Sequence, residues 1–238
     1  MSGAEYDSSG SWTVRLRTRL SRTVPPGQLL PDRQPAYMRS WIYVFGVATL
    51  AALLFVLGSG ALLTLKGEEW WHVSALGHFF NSMHLWSVEL FFMFMVIHLW
   101  GKFFMAAWRG RRALTWVTGA IAFIGSIGAA FTGYLSQSNF DSQWISGQAK
   151  DGLNAVGIGA EFNPLNTGQM LLWHVMLLPL VVGVLVVLHV ILVRRHGVVP
   201  PFGAIPPEAA GGLAPADDAV SAPGAGSEQP AHTAGRSL

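Results

Sequence analysis

The chain has 238 residues, of which 51% are hydrophobic and only 12% charged, with a formal net charge of +2. That balance is too apolar for an ordinary soluble domain and fits a small polytopic membrane protein, with basic residues at segment ends acting as topology signals and not as a nucleic-acid footprint. Cysteine is absent, which excludes disulfides, iron–sulfur ligation, thiolate catalysis and any thioether-attached c-type haem.

Residues 1–38 form a polar leader with no early apolar core, so it does not read as a cleaved signal peptide. Within it Trp12, Val14, Leu16 and Leu20 interleave with Arg15, Arg17, Arg19 and Arg22. The pattern allows a short helix on the membrane surface, arginines toward lipid phosphates, or a basic disordered leader. Pro25, Pro26, Pro31 and Pro35 stop any continuation.

Residues 39–203 carry four stretches long enough to cross a bilayer, since a spanning helix needs about 20 apolar residues. They lie near Trp41–Leu65, Leu76–Met105, Leu114–Leu135 and Gln169–Val193, the last interrupted by Pro179, which is expected to kink it or be relieved by its neighbours. The expected fold is therefore an all-α, four-helix integral-membrane bundle. Lys102, Arg109, Arg111 and Arg112 sit between the second and third spans, and Arg194 and Arg195 follow the fourth. The positive-inside rule then puts both termini in the cytoplasm, and the expected location is a bacterial cytoplasmic membrane. Spans two and four run in the same direction, outside to inside. The long connection between spans three and four reads as an outer lid containing some helix. Residues 204–238, rich in Ala, Gly, Pro and Ser, read as a disordered cytoplasmic tail.

Span two carries His84 and His98, 14 residues apart, and span four carries His174 and His189, 15 apart. At 1.5 Å and 100° per residue, each pair shares roughly one face at two depths about 21–22 Å apart. Co-directional spans then bring His84 to His174 near the outer surface and His98 to His189 near the inner one. Imidazole suits haem iron, and two axial histidines leave no open position for oxygen or substrate, so such sites transfer electrons. The reading is two b-type haems stacked across the membrane, held by His84, His174, His98 and His189. His72 and His78 lack partners at matched depth and are left as interfacial.

Gly46 and Gly60 in the first span, and Gly119 and Gly133 in the third, repeat the same 14-residue step. They fall at the two histidine depths, where glycine lets a flat macrocycle approach the backbone closely. Lys102, Arg112 and Arg194 at the inner end either neutralise haem propionates, bind a semiquinone, or contact lipid phosphates. Glu89, five residues beyond His84, is either part of a proton path or a neutral carboxyl packed into the bundle.

Together "SMHLWS" around His84, the step to His98, "RALTWVTG" from Arg112, "TGYL" around Gly133, Pro179 five residues after His174, and "VRRHG" after His189 carry a family resemblance. The chain resembles the N-terminal four-helix haem-binding part of cytochrome b, and especially its short form, cytochrome b6, over roughly residues 30–202. The resemblance implies a diheme subunit of a quinol-oxidising complex, with His84 and His174 on the outer, low-potential haem and His98 and His189 on the inner one. It implies quinol or quinone as exchangeable substrate. As partners it implies a subunit bearing a Pro-Glu-Trp-Tyr motif and a Rieske iron–sulfur protein, in a dimer.

The chain departs from the family pattern at defined places. Asn81 and Leu85 stand where the family has arginines beside the first histidine of span two. Gln137, Ser138 and Phe140 replace the Pro, Trp and Gln that line the outer quinol site, and Val44 occupies the place of the cytochrome b6 cysteine that attaches an extra haem. These departures keep open a second assembly, a haem-bearing membrane subunit of another quinone-linked dehydrogenase or reductase. A structural membrane anchor is the third reading.

Overall fold

The structure, a computed structural model, describes residues 11–23, 25 and 40–201. The expected disordered tail (204–238) and most of the leader lie outside the described residues. Within the leader, Trp12–Thr23 forms helix α1, with Trp12, Leu16 and Leu20 following one another at helical spacing and all exposed.

Four apolar helices long enough to cross a membrane follow: Trp41–Lys66, Ala75–Phe104, Gly110–Leu135 and Thr167–His196. Their bounds match the hydropathy reading within a few residues, because a 20-residue apolar stretch leaves little choice of element in lipid. Helix α2 (Val44–Lys66) enters through a tight turn at Trp41–Tyr43 and stops at Gly67, whose φ of 82° lets its N–H return to the Leu63 carbonyl. A short helix, α3 (Glu68–Val73), leads to α4 (Ala75–Phe104), whose cap Ser74 accepts the Gly77 N–H at 2.9 Å. Here His78 donates Nε2–H to the His72 carbonyl, and His72 lies 3.7 Å from Glu68, so His72 belongs to the connection and His78 to the first turn of α4, both exposed.

Helix α5 (Ala113–Leu135) is followed by α6 (Phe140–Ala155), capped by Asn139 accepting the Ser142 N–H. The connection after α5 thus does contain helix. The last span, α7 (Thr167–His196), is α-helical to Leu172, takes one π turn over Trp173–Leu177, and returns to α-helix from Leu178. Pro179 sits just past the π turn, where its missing N–H would otherwise break the ladder. A π bulge holds one extra residue. The 15 residues from His174 to His189 therefore advance about as far, and turn about as much, as the 14 from His84 to His98.

Helix α2 packs along α4, and α5 along α7; α4 and α7 meet each other far less. Ala52, Phe91 and Met95 form a buried cluster, flanked by Val56, Phe92 and Phe123. Only 11–17% of each span's most apolar stretch is buried, so the remaining apolar surface faces outward, as lipid permits and water would not.

Candidate functional site

The four histidines of α4 and α7 point into the space between the two helix pairs, and each rests on a glycine of its neighbouring helix. A Cβ added at Gly46 would meet His98 Cε1 at 3.0 Å, and one at Gly60 would meet His84 Cε1 at 3.1 Å. On the other pair, a Cβ at Gly119 would lie 2.9 Å from His189 Cε1, and one at Gly133 would lie 2.6 Å from His174 Nδ1 and closer still to Cε1. These contacts run α2 antiparallel to α4 and α5 antiparallel to α7; with His84 beside His174 at one level and His98 facing His189 at the other, α4 and α7 are parallel. Two levels result: His84 with His174, and His98 with His189. The His84 and His174 ring centres are 6.1 Å apart with planes at 88°.

Three of the four rings are oriented by hydrogen bonds at Nδ1. His174 Nδ1 lies 2.8 Å from the Ala129 carbonyl and His189 Nδ1 2.8 Å from the Thr115 carbonyl. A carbonyl can only accept, so Nδ1 carries the proton in both. His84 Nδ1 lies 2.9 Å from Ser59 Oγ. The Ser59 hydroxyl gives its own proton to the Phe55 carbonyl at 2.6 Å, so His84 Nδ1 is again the donor. In each ring Nε2 keeps its lone pair, the state a metal ligand needs. Among the described residues no Nε2 of the four has a hydrogen-bond partner.

His98 differs. Its buried Nδ1 has no partner among the described residues. The reason is readable one repeat away: Ser59 precedes Gly60, whereas Phe45 precedes Gly46, 14 residues earlier. Helix α5 keeps its repeat intact, with Thr118–Gly119 and Thr132–Gly133. Each threonine hydroxyl donates to the carbonyl that holds the histidine, Thr115 at 2.8 Å and Ala129 at 3.0 Å. Sequence reading found the glycines but not Ser59, Thr118 or Thr132, although small hydroxyl residues next to matched glycines were the available signal.

These residues fit a metal macrocycle. Metal–imidazole bonds are about 2.0–2.1 Å, so two rings in line with one metal have centres roughly 6 Å apart, as found at the first level. Among the described residues no three or more His, Asp or Glu side chains converge. Two facing imidazoles would supply two of a metal's ligands and leave the others to a group such as a tetrapyrrole.

Past the second level, the chain exit closes over a polar cluster. Tyr43, buried, donates to the Val199 carbonyl at 2.8 Å, and Lys102 Nζ stands 3.8 Å from the Tyr43 ring centre. Arg112 donates to the Gly197 and Val198 carbonyls at 3.3 and 3.4 Å, and Thr115 Oγ1 lies 3.0 Å from His196 Nδ1. The structure thus gathers Lys102 and Arg112 at one end, both already engaged by the chain itself, while Arg194 is exposed. Trp116 Nε1 is buried without a partner among the described residues. At the opposite end Tyr134, Phe140, Asp141, Trp144 and Ile145 line an open groove. Glu89 departs from expectation: it is exposed on the outside of α4 rather than packed into the bundle.

Residues 89–208 match the family model for cytochrome b(N-terminal)/b6/petB. This chain belongs to the cytochrome b N-terminal/b6 family. Membership implies b-type haem. A cytochrome bc complex cytochrome b subunit of Chlorobaculum thiosulfatiphilum is 34% identical over 60% of this chain and 35% of its own length. A cytochrome b6 of Heliomicrobium gestii is 32% identical over 53% of this chain and 64% of its own. The menaquinol:cytochrome c reductase cytochrome b subunit of Bacillus subtilis is 25% identical over 78% and 93%. The chain thus spans between about a third and two thirds of the length of the first two relatives. Among solved structures, a hyperthermophilic respiratory Complex III chain superposes with a TM-score of 0.61 at 18% identity, covering 82% of this chain and 57% of that one. The last comparison supports the four-helix fold.

Proposed function

We propose that the chain is a diheme b-type cytochrome subunit that carries electrons across the membrane within a quinol-linked oxidoreductase. The observation that supports this most directly is the His84–His174 pair, 6.1 Å between ring centres with both Nδ1 protons committed elsewhere. His84 and His174 ligate one haem through Nε2, and His98 and His189 the other. Gly46, Gly60, Gly119 and Gly133 let the rings sit against the neighbouring helices. When bound, haem b supplies a one-electron iron couple. With two histidines holding the iron, no position would remain on it for substrate. The helices hold the two levels about 21 Å apart along the bundle axis, and the dry apolar wall keeps water and protons off the path. In this reading the His84 level lies outside and both termini in the cytoplasm, which the positive-inside charge pattern supports. Lys102, Arg112 and Arg194 lie at the inner end, where they neutralise propionates or meet a quinone.

The partners in this reading are a Pro-Glu-Trp-Tyr subunit and a Rieske iron–sulfur protein, in a dimer. A second reading, a haem-bearing membrane subunit of a different quinone-linked dehydrogenase, is favoured by Leu85 and Phe140, both exposed where the family pattern has arginine and a quinol-site residue. Purified protein is expected to show a b-type difference spectrum with two haems per chain and to be reduced by a menaquinol analogue. Absence of haem overturns both readings; haem without quinol reduction leaves an anchor. Co-purification with an iron–sulfur subunit separates the first assembly from the second.

A further inference from the structure

Glu89 is the one residue of α4 whose chemistry is at odds with its surroundings. It stands about 21 Å from one end of the 30-residue helix and about 22 Å from the other. In a hydrocarbon core about 30 Å thick, its carboxyl is then roughly 15 Å from either surface. A glutamate side chain is far too short to reach water from that depth. Around the helix Glu89 is about 140° from His84 and about 180° from His98, so the space between the helix pairs cannot satisfy it. It is exposed, and among the described residues nothing bonds to it. An ionisable group bare to lipid at mid-depth is costly, and such residues are paired.

We propose that the Glu89 face of α4 is the docking surface for a transmembrane helix of a different polypeptide, one that presents a Lys, Arg or His at mid-membrane depth. The surface is continuous: Trp86, Met93, Val96 and Trp100 are exposed on the same side. At the far end Val96 and Trp100 join Trp41 and Ile42 in lining an apolar groove. Charge decides the occupant. A second copy of this chain offers no opposite charge, because the exposed mid-depth residues of α2, α5 and α7 are apolar, among them Leu54, Ile124 and Val184, and its α4 presents only another carboxyl. Residues 1–39 and 202–238 hold no apolar stretch of spanning length. This inference requires only that the chain lies in a membrane and stands whether or not haem is bound.

The test uses the full chain in its own membranes, with a photo-crosslinking amino acid at Met93 and, as control, at Ile124. The Met93 probe is expected to label a distinct polypeptide on a membrane-spanning peptide containing Lys, Arg or His within one turn of the label. Glu89→Leu should lower that yield about threefold to thirtyfold, the range of one polar contact between helices in lipid. Replacing the partner's basic residue by Leu should give the same loss. Glu89→Leu should leave the melting temperature of the isolated chain in detergent unchanged, because the carboxyl touches nothing in its own chain; Glu89→Gln serves if that variant fails to accumulate. Labelling of lipid only, labelling of a second copy of this chain, a labelled partner helix without a basic residue, or an unchanged yield in Glu89→Leu would each overturn the proposal.

Discussion

Replacing Gly133 by alanine sets a helix preference against a histidine. In an ordinary helix interior Gly→Ala gains about 1 kcal/mol. Here the new Cβ would sit 2.6 Å from His174 Nδ1, while ordinary contact begins at 3.4 Å, so the ring must retreat about 0.8 Å. Ligand distances tolerate only about ±0.2 Å. The same retreat breaks the 2.8 Å bond from His174 to the Ala129 carbonyl, and leaving that buried N–H unpaired costs about 1–3 kcal/mol. The propensity gain is outweighed, and the His84–His174 level is expected to lose its haem while the other level keeps its own. The substitutions should rank by closeness: Gly133→Ala most damaging, then Gly119→Ala at 2.9 Å, then Gly46→Ala and Gly60→Ala at 3.0 and 3.1 Å. Gly58→Ala and Gly183→Ala, with nothing within 4 Å, should be harmless. Haem per chain from pyridine haemochromogen spectra, with a potentiometric titration to identify the surviving centre, measures this directly. Full haem content in Gly133→Ala, or a loss in Gly183→Ala as large as in Gly119→Ala, would refute the reasoning.

His84→Ala and His98→Ala should each abolish one spectral component and halve the haem content; loss of neither would show the ligands lie elsewhere. Ser59→Ala removes the acceptor of the His84 Nδ1 proton, so the ring becomes a weaker base: haem retention at that level should fall about 10- to 100-fold, with a higher midpoint potential in the surviving fraction. Phe45→Ser supplies the missing acceptor beside His98 and should lower the midpoint potential of the other centre; a titration showing no shift in either variant would remove Nδ1 hydrogen bonding as the tuning device. Deleting Met176 should convert the π turn to α-helix and keep both haems, whereas deleting one residue between His84 and His98 should rotate one ligand by about 100° and lose one. Equal loss in both deletions would count against the π turn as the compensating element.

The spans were legible because runs such as Leu50–Leu57 and Leu178–Val187 leave a membrane chain no alternative to helix. The matched steps of histidine and glycine were legible because both obey one helical repeat. The 15-residue step fits the 14-residue one closely through the π turn that absorbs the extra residue, and that turn depends on how the carbonyls ahead of Pro179 settle, which periodicity does not encode. Ser59, Thr118 and Thr132 escaped notice for a related reason. A hydroxyl in an apolar helix normally bonds back to its own turn, and only packing shows that the same turn also holds an imidazole. Glu89 was visible as an anomaly, but its side of the helix became meaningful only once the histidine side and the α2 contact were both assigned.

Each level draws one imidazole from the second crossing and the other from the last. A nascent chain that has inserted only its first helical hairpin owns half of both binding sites and the whole of neither. On the proposed reading, porphyrin capture would await insertion of the final hydrophobic segment at the translocon, and the porphyrin would then clasp two hairpins that have little else between them. Shortage of porphyrin during biosynthesis would leave the hairpins free to part, which makes cofactor supply a checkpoint for whether the newly made protein survives membrane proteolysis.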